Sequence, residues 1–64
     1  MASALLETWV RQYPELPDWL AEHRRNGWGG DRLARALRVT FDIDVANRTA
    51  LRWADAILED RDDR

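Results

Sequence analysis

The stretch WGGDRLARALRVTFDIDVANRTALRWADAI, Trp28 to Ile57, decides how this chain folds. Leu33, Ala34 and Leu37 fall at i, i+1 and i+4, one face of a helix that opens at Gly29-Gly30-Asp31, while Arg32, Arg35 and Arg38 point elsewhere. That helix is expected to end near Val39 or Thr40. From Val39 to Val45 apolar and polar residues alternate, which locally is the mark of a strand. A single strand finds no partner in a chain patterned otherwise for helices, so the expectation is an extended turn with Phe41, Ile43 and Val45 plugging the core. After Asp44 or Ala46 helical spacing resumes: Ala46, Ala50, Trp53, Ala54 and Ile57 share a face of a helix running to about Glu59.

Upstream, Asn26-Gly27 is a helix stop, with glycine free to take the left-handed conformation that closes a C-terminus. Pro17 is suited to the first position of the helix it closes, residues 17–25, because its missing N–H costs nothing there. Trp19 and Leu20 should face inward from that helix. A first helix is expected over residues 3–13, capped by Ser3, with Leu5, Leu6, Trp9 and Val10 on one stripe. The tail from Glu59 to Arg64 should fray into solvent. The fold expected is therefore all-α, four short helices in one domain over residues 1–58, with no wing after the last helix.

With 64 residues and no cysteine, the chain has room for one small core and no means to staple it with disulfides. Four tryptophans, Trp9, Trp19, Trp28 and Trp53, each fall on an apolar stripe and supply the large area such a core needs. A solitary histidine, His23 beside two arginines, reads as a solvated helix-end residue and cannot build a zinc site with others of its kind. No metal, cofactor or small-molecule ligand is expected. No apolar run reaches the length of a membrane span, and the N-terminus lacks a signal-peptide pattern, so a cytoplasmic protein is expected.

The formal net charge of −2 is unevenly spread. Residues 21–58 carry seven arginines against five carboxylates, whereas residues 1–20 and 59–64 each carry two more carboxylates than arginines. All ten basic side chains are arginine. The basic excess thus coincides with the Trp28–Ile57 segment, where guanidinium groups can meet phosphate or base edges in bidentate fashion.

Trp19-Leu20, Gly27-Trp28, Leu33-Ala-Arg-Ala-Leu37, Phe41, Val45 and Thr49-Ala-Leu-Arg-Trp53 together resemble the tri-helical helix-turn-helix of small bacterial and phage DNA-binding proteins, over roughly residues 17–58. In that likeness Ala34 is the small residue where the positioning helix touches the recognition helix, leaving room for Trp53. Asp42 stands where many members carry glycine, and the turn is longer than the minimal three or four residues. The resemblance implies duplex DNA as partner, with Asn47, Arg48, Thr49 and Arg52 reading bases: asparagine suits adenine, arginine suits guanine, and threonine takes a phosphate or a thymine methyl. Arg24, Arg25, Arg32, Arg35 and Arg38 would contact phosphates. A unit this small usually binds as a dimer, and Leu5, Leu6, Trp9 and Val10 are the candidate dimerisation surface.

Enzymatic chemistry is not expected. Gly27-Trp-Gly-Gly30 lacks the lysine and spacing of a phosphate loop, and no serine stands near the histidine in a nucleophile arrangement. The rival expectation keeps the fold and replaces DNA with a host protein docked on an acidic surface.

Overall fold

A computed structural model describes residues 4–62, and every regular element among them is a helix: α1 (Ala4–Gln12), α2 (Leu16–Arg25), α3 (Gly30–Phe41) and α4 (Asn47–Asp62). The expected cap at Ser3 lies outside the described residues. Pro17 sits in the first turn of α2, one residue later than expected because the helix begins at Leu16. At its far end Gly27 adopts φ 92°, with the Gly27 amide donating to the Arg24 carbonyl at 3.0 Å and the Trp28 amide to the His23 carbonyl at 3.1 Å. This double closure satisfies carbonyls that the helix leaves open.

α3 runs further than the spacing of its leucines suggested. Phe41, expected in an extended turn, occupies the last helical position one turn after Leu37, and Leu33, Ala34, Leu37 and Phe41 form a single buried stripe. Val39, which the strand-like alternation placed on the same side as Phe41, is consequently on the outer face and 82% exposed. The helix is stopped by Asp42, a non-glycine residue at φ 60°, ψ 34°, whose amide donates to the Arg38 carbonyl at 3.1 Å. Beyond it the alternation does hold: Ile43 is fully buried and Val45 half-buried, while Asp42 and Asp44 face solvent.

The connector 42–46 carries the chain back along α3. The Ile43 amide donates to the Leu37 carbonyl at 3.2 Å, and by Asn47 the chain stands beside Gly30, the residue that opens α3. An α-helix rises about 1.5 Å per residue and extended chain about 3.3 Å, so five connector residues return over about the distance that α3 advanced. α4 then crosses the start of α3 so closely that a Cβ on Gly30 would lie 2.4 Å from the Asn47 carbonyl oxygen and 3.2 Å from the Leu51 Cβ.

α4 packs antiparallel to α2. Arg24 near the end of α2 meets Asp55 in mid-α4, and Arg61 near the end of α4 meets Asp18 at the start of α2. Leu16, Leu20, Leu33, Leu37, Ile43, Ala50, Trp53 and Ala54 form the core between α2, α3 and α4, to which α1 adds Leu6. Trp53 is buried, whereas Trp9, Trp19 and Trp28 pack against the core edge half-exposed. Tyr13, in the α1–α2 link, joins the aromatic edge through Phe41, ring centroids 5.2 Å apart, and Trp19 meets Phe41 edge-on at 5.4 Å. α4 itself continues to Asp62, past the expected end at Glu59.

Three substitutions test this architecture, one in each direction and one as a control. Gly30→Ala forces α3 and α4 apart and should destabilise the fold by about 1–3 kcal/mol, while Gly29→Ala, whose added carbon meets nothing within 4 Å, should change little. Asp42→Gly relieves the left-handed conformation and should stabilise by up to about 1 kcal/mol. In a domain this size each kcal/mol moves the thermal midpoint by roughly 4–8 °C, which circular dichroism melts resolve.

Candidate nucleic-acid interface

One end of the molecule gathers the close of α2, the start of α3 and the start of α4, and with them Arg24, Arg25, Arg32 and Arg48; Arg35 and Arg52 lie a turn or more along their helices, and Arg38 is in the last turn of α3, at its far end. α4 brings Arg48 and Arg52 there, one turn apart and both exposed, and neither forms a hydrogen bond or ion pair among the described residues. The first turn of α4 carries no acidic residue, and its free amides present the positive end of the helix dipole in the same place. Asp42, adjacent in sequence, is kept away by the connector: it stands at the opposite end of α3, about 16 Å of extended chain from Asn47.

The remaining residues expected to face bases are less free. The Asn47 side chain donates to Asp31 at 3.5 Å and its carbonyl is pressed against Gly30, so it sits in the α3–α4 seam. Thr49 is half-buried on the flank of α4. The outward stripe of α4 therefore reads Arg48, Arg52, Asp55, Glu59.

The arginines expected to meet phosphate divide into two groups. Arg24 is a strut: its Nε donates to Asp55 Oδ1 at 2.8 Å and its Nη1 to the Trp28 carbonyl at 3.2 Å, tying α2, the α2–α3 loop and α4 together. Arg32 lies over the Trp28 ring, its Cζ 4.2 Å from the centroid, where the cation meets the negative face of the indole. Arg35 is exposed and 3.9 Å from Asp31, a separation at which solvent screens most of the attraction. Arg25 and Arg38 are exposed and form no ion pair among the described residues.

His23 is not the solvated helix-end residue that its sequence neighbours suggested. It is half-buried between two indoles, with ring centroids 4.4 Å from Trp19 and 4.3 Å from Trp28, because the close of α2 turns Trp28 back onto it. Its Nδ1 lies 2.7 Å from the Trp19 carbonyl; a carbonyl only accepts, so Nδ1 carries the proton. Arg32, Trp28, His23 and Trp19 thereby form a continuous chain of contacts, tilted between Trp19 and His23 and edge-to-face between His23 and Trp28, that stiffens the α2–α3 loop. Sequence offered one sign of this, the helix-spaced pair Trp19 and His23; the Arg24–Asp55 strut, spanning a separation of 31 residues, had none.

The four residues expected to dimerise also part company. Leu6 is 4% exposed and belongs to the core, Trp9 and Val10 pack half-buried against it, and only Leu5 is largely free, at 50%. Between α1 and α4 lies an open groove of about 540 Å³, with Leu6, Val10 and Ile57 inside and Glu7, Arg11, Asp60 and Arg61 on its rim. Among the described residues no three histidine or carboxylate side chains are grouped so as to hold a metal ion, and no helix is long and apolar enough to cross a membrane. No family model, curated protein or solved structure matches this chain.

The Arg24–Asp55 strut is open to measurement. A double-mutant cycle with Arg24→Gln and Asp55→Asn should give a coupling below about 1 kcal/mol, as befits a partly solvated pair, and added salt should diminish it. A coupling of zero at low salt would show that the pair contributes no stability.

Proposed function

We propose that this protein binds duplex DNA, with the amino-terminal half of α4 as its recognition surface and α3 as the positioning helix of a helix-turn-helix whose turn is the extended connector 42–46. The observation that carries the reading is the pair Arg48 and Arg52: exposed, one turn apart, without partners among the described residues, and set where a helix N-terminus adds its own positive end. Arginines at that spacing can reach two successive base edges or a base and a phosphate in the major groove. Arg35 on the outer face of α3 and Arg25 at the end of α2 would meet phosphates on either side, and Arg38, in the last turn of α3, would be reached only by duplex running along that helix. Arg32 can turn a donor toward phosphate while it stays on Trp28. Asn47 joins the base contacts by exchanging its hydrogen bond to Asp31 for one to adenine, and Thr49 supports from the flank.

A site of this size gives weak affinity by itself, in the micromolar range or above at physiological salt, because few phosphates are neutralised and the interface is small. That suits a small regulator or a DNA-handling accessory of phage or mobile-element type, acting on paired or tandem sites. A second reading draws on the opposite end of the molecule, where Glu7, Glu15, Asp18, Glu59 and Asp60 are all exposed: there a basic host protein would dock.

Fluorescence anisotropy with a labelled duplex of about two helical turns tests the first reading. Binding should weaken steeply with salt, and Arg48→Ala/Arg52→Ala should lower affinity at least tenfold and erase any preference among sequences. Arg35→Ala should weaken all sequences alike by a few-fold. Binding unaffected by the double substitution would remove α4 as the recognition helix, and no binding at low salt by folded protein would transfer the weight to the host-protein reading.

A further inference from the structure

The outward stripe of α4 has a symmetry that DNA binding does not require. Its charged residues are Arg48, Arg52, Asp55 and Glu59, spaced four, three and four apart, so the two halves mirror each other in position and oppose each other in sign. Leu51 and Ala56, the partly buried residues between them, are placed symmetrically about the same midpoint, and these six residues line a shallow groove of about 430 Å³ along the helix. Two copies of such a helix laid antiparallel about a two-fold axis bring Arg48 opposite Glu59 and Arg52 opposite Asp55, each pair made twice, with the two Leu51 side chains on one flank of the seam and the two Ala56 on the other. This is the self-complementarity that a two-fold interface demands. The four, three, four spacing is also the one that keeps residues on a seam between two helices.

We infer that α4 is a self-association surface, on which a second copy of this chain docks antiparallel, and that this surface rather than the Leu5–Val10 stripe is where the protein pairs. Three further facts favour it. Arg48, Arg52 and Glu59 form no ion pair within the chain among the described residues, so none has to be broken. Asp55 spends one oxygen on Arg24, at 2.8 Å, and keeps Oδ2 for Arg52 of the second copy, while Arg24 offsets the repulsion between the two Asp55 carboxylates across the axis. A parallel arrangement would set arginine against arginine and carboxylate against carboxylate, so orientation is specified as well. The seam involves one helix face per copy, well below the roughly 800 Å² per partner of a stable complex, so the dimer is weak, reversible and sensitive to salt.

Sedimentation velocity over a wide concentration range, at low and at high salt and without DNA, tests this. At low salt the weight-average mass should climb from 7.5 kDa toward twice that value with concentration, and high salt should reverse the climb. Arg48→Glu alone, and Glu59→Arg alone, each place like charges opposite one another twice and should weaken association about tenfold or more. The combined variant Arg48→Glu/Glu59→Arg restores opposite charges in both pairs and should recover association to within a few-fold of the starting protein. Far-UV circular dichroism confirms that all three variants fold. A monomer at every concentration in low salt, association indifferent to Arg48→Glu, or a combined variant that stays monomeric would each overturn the inference. A second copy on this stripe covers Arg48 and Arg52, so one α4 cannot pair and enter a DNA groove at the same time; because no DNA is present in the test, self-association can stand if the DNA reading falls, and the reverse.

Discussion

The α3–α4 crossing at Gly30 is the constraint on which the rest of the structure depends. The Asn47 backbone occupies the space a side chain would need, and that approach fixes where α4 begins and at what depth it lies. From it follow the burial of Ala50, Trp53 and Ala54 against Leu33, Ala34 and Leu37, and the alignment of α4 with α2 that lets Arg24 and Arg61 find their carboxylates. The likeness that the sequence bears to helix-turn-helix proteins placed the small contact residue at Ala34. Ala34 is buried, and a close approach of the α4 backbone falls one turn earlier, at the second glycine of Gly29-Gly30.

Charge along α4 changes sign from start to finish, and the arginines around it have distinct employments. Arg24, Arg32 and Arg61 are engaged within the chain, by Asp55, the Trp28 ring and Asp18, whereas Arg25, Arg38, Arg48 and Arg52 have no such partner among the described residues. Planar, weakly hydrated guanidinium suits both settings, over an indole face at Arg32 and open to solvent at Arg48 and Arg52. A lysine at position 32 would keep the charge and lose the planar group.

Helical stripes of Leu, Ala and Trp were enough to place four helices within a few residues, since a period of 3.6 over ten or more positions is hard to mistake. The errors arose where two periodicities overlap. Val39, Phe41, Ile43 and Val45 satisfy a strand period together, yet Phe41 also lies one turn from Leu37, and tertiary packing chose the helical assignment for it while leaving Ile43 and Val45 to the extended one. At the candidate interface, Arg48 and Arg52 were legible because an exposed i, i+4 pair follows from the helix alone. That Arg24 is a strut, Asn47 is in a seam and His23 is between indoles depends on how helices meet, and local patterning carries no record of that.

The return of the connector along α3 couples two lengths that sequence treats as independent. A turn added to α3 advances its end by about 5.4 Å, and the chain recovers that distance only with about one and a half to two more extended residues. A single residue added to the connector would instead exchange the sides of Ile43 and Asp44, putting a carboxylate into the core. Insertions and deletions in this segment are therefore viable only in matched sets, so that Gly30 to Asn47 behaves as a block of fixed size.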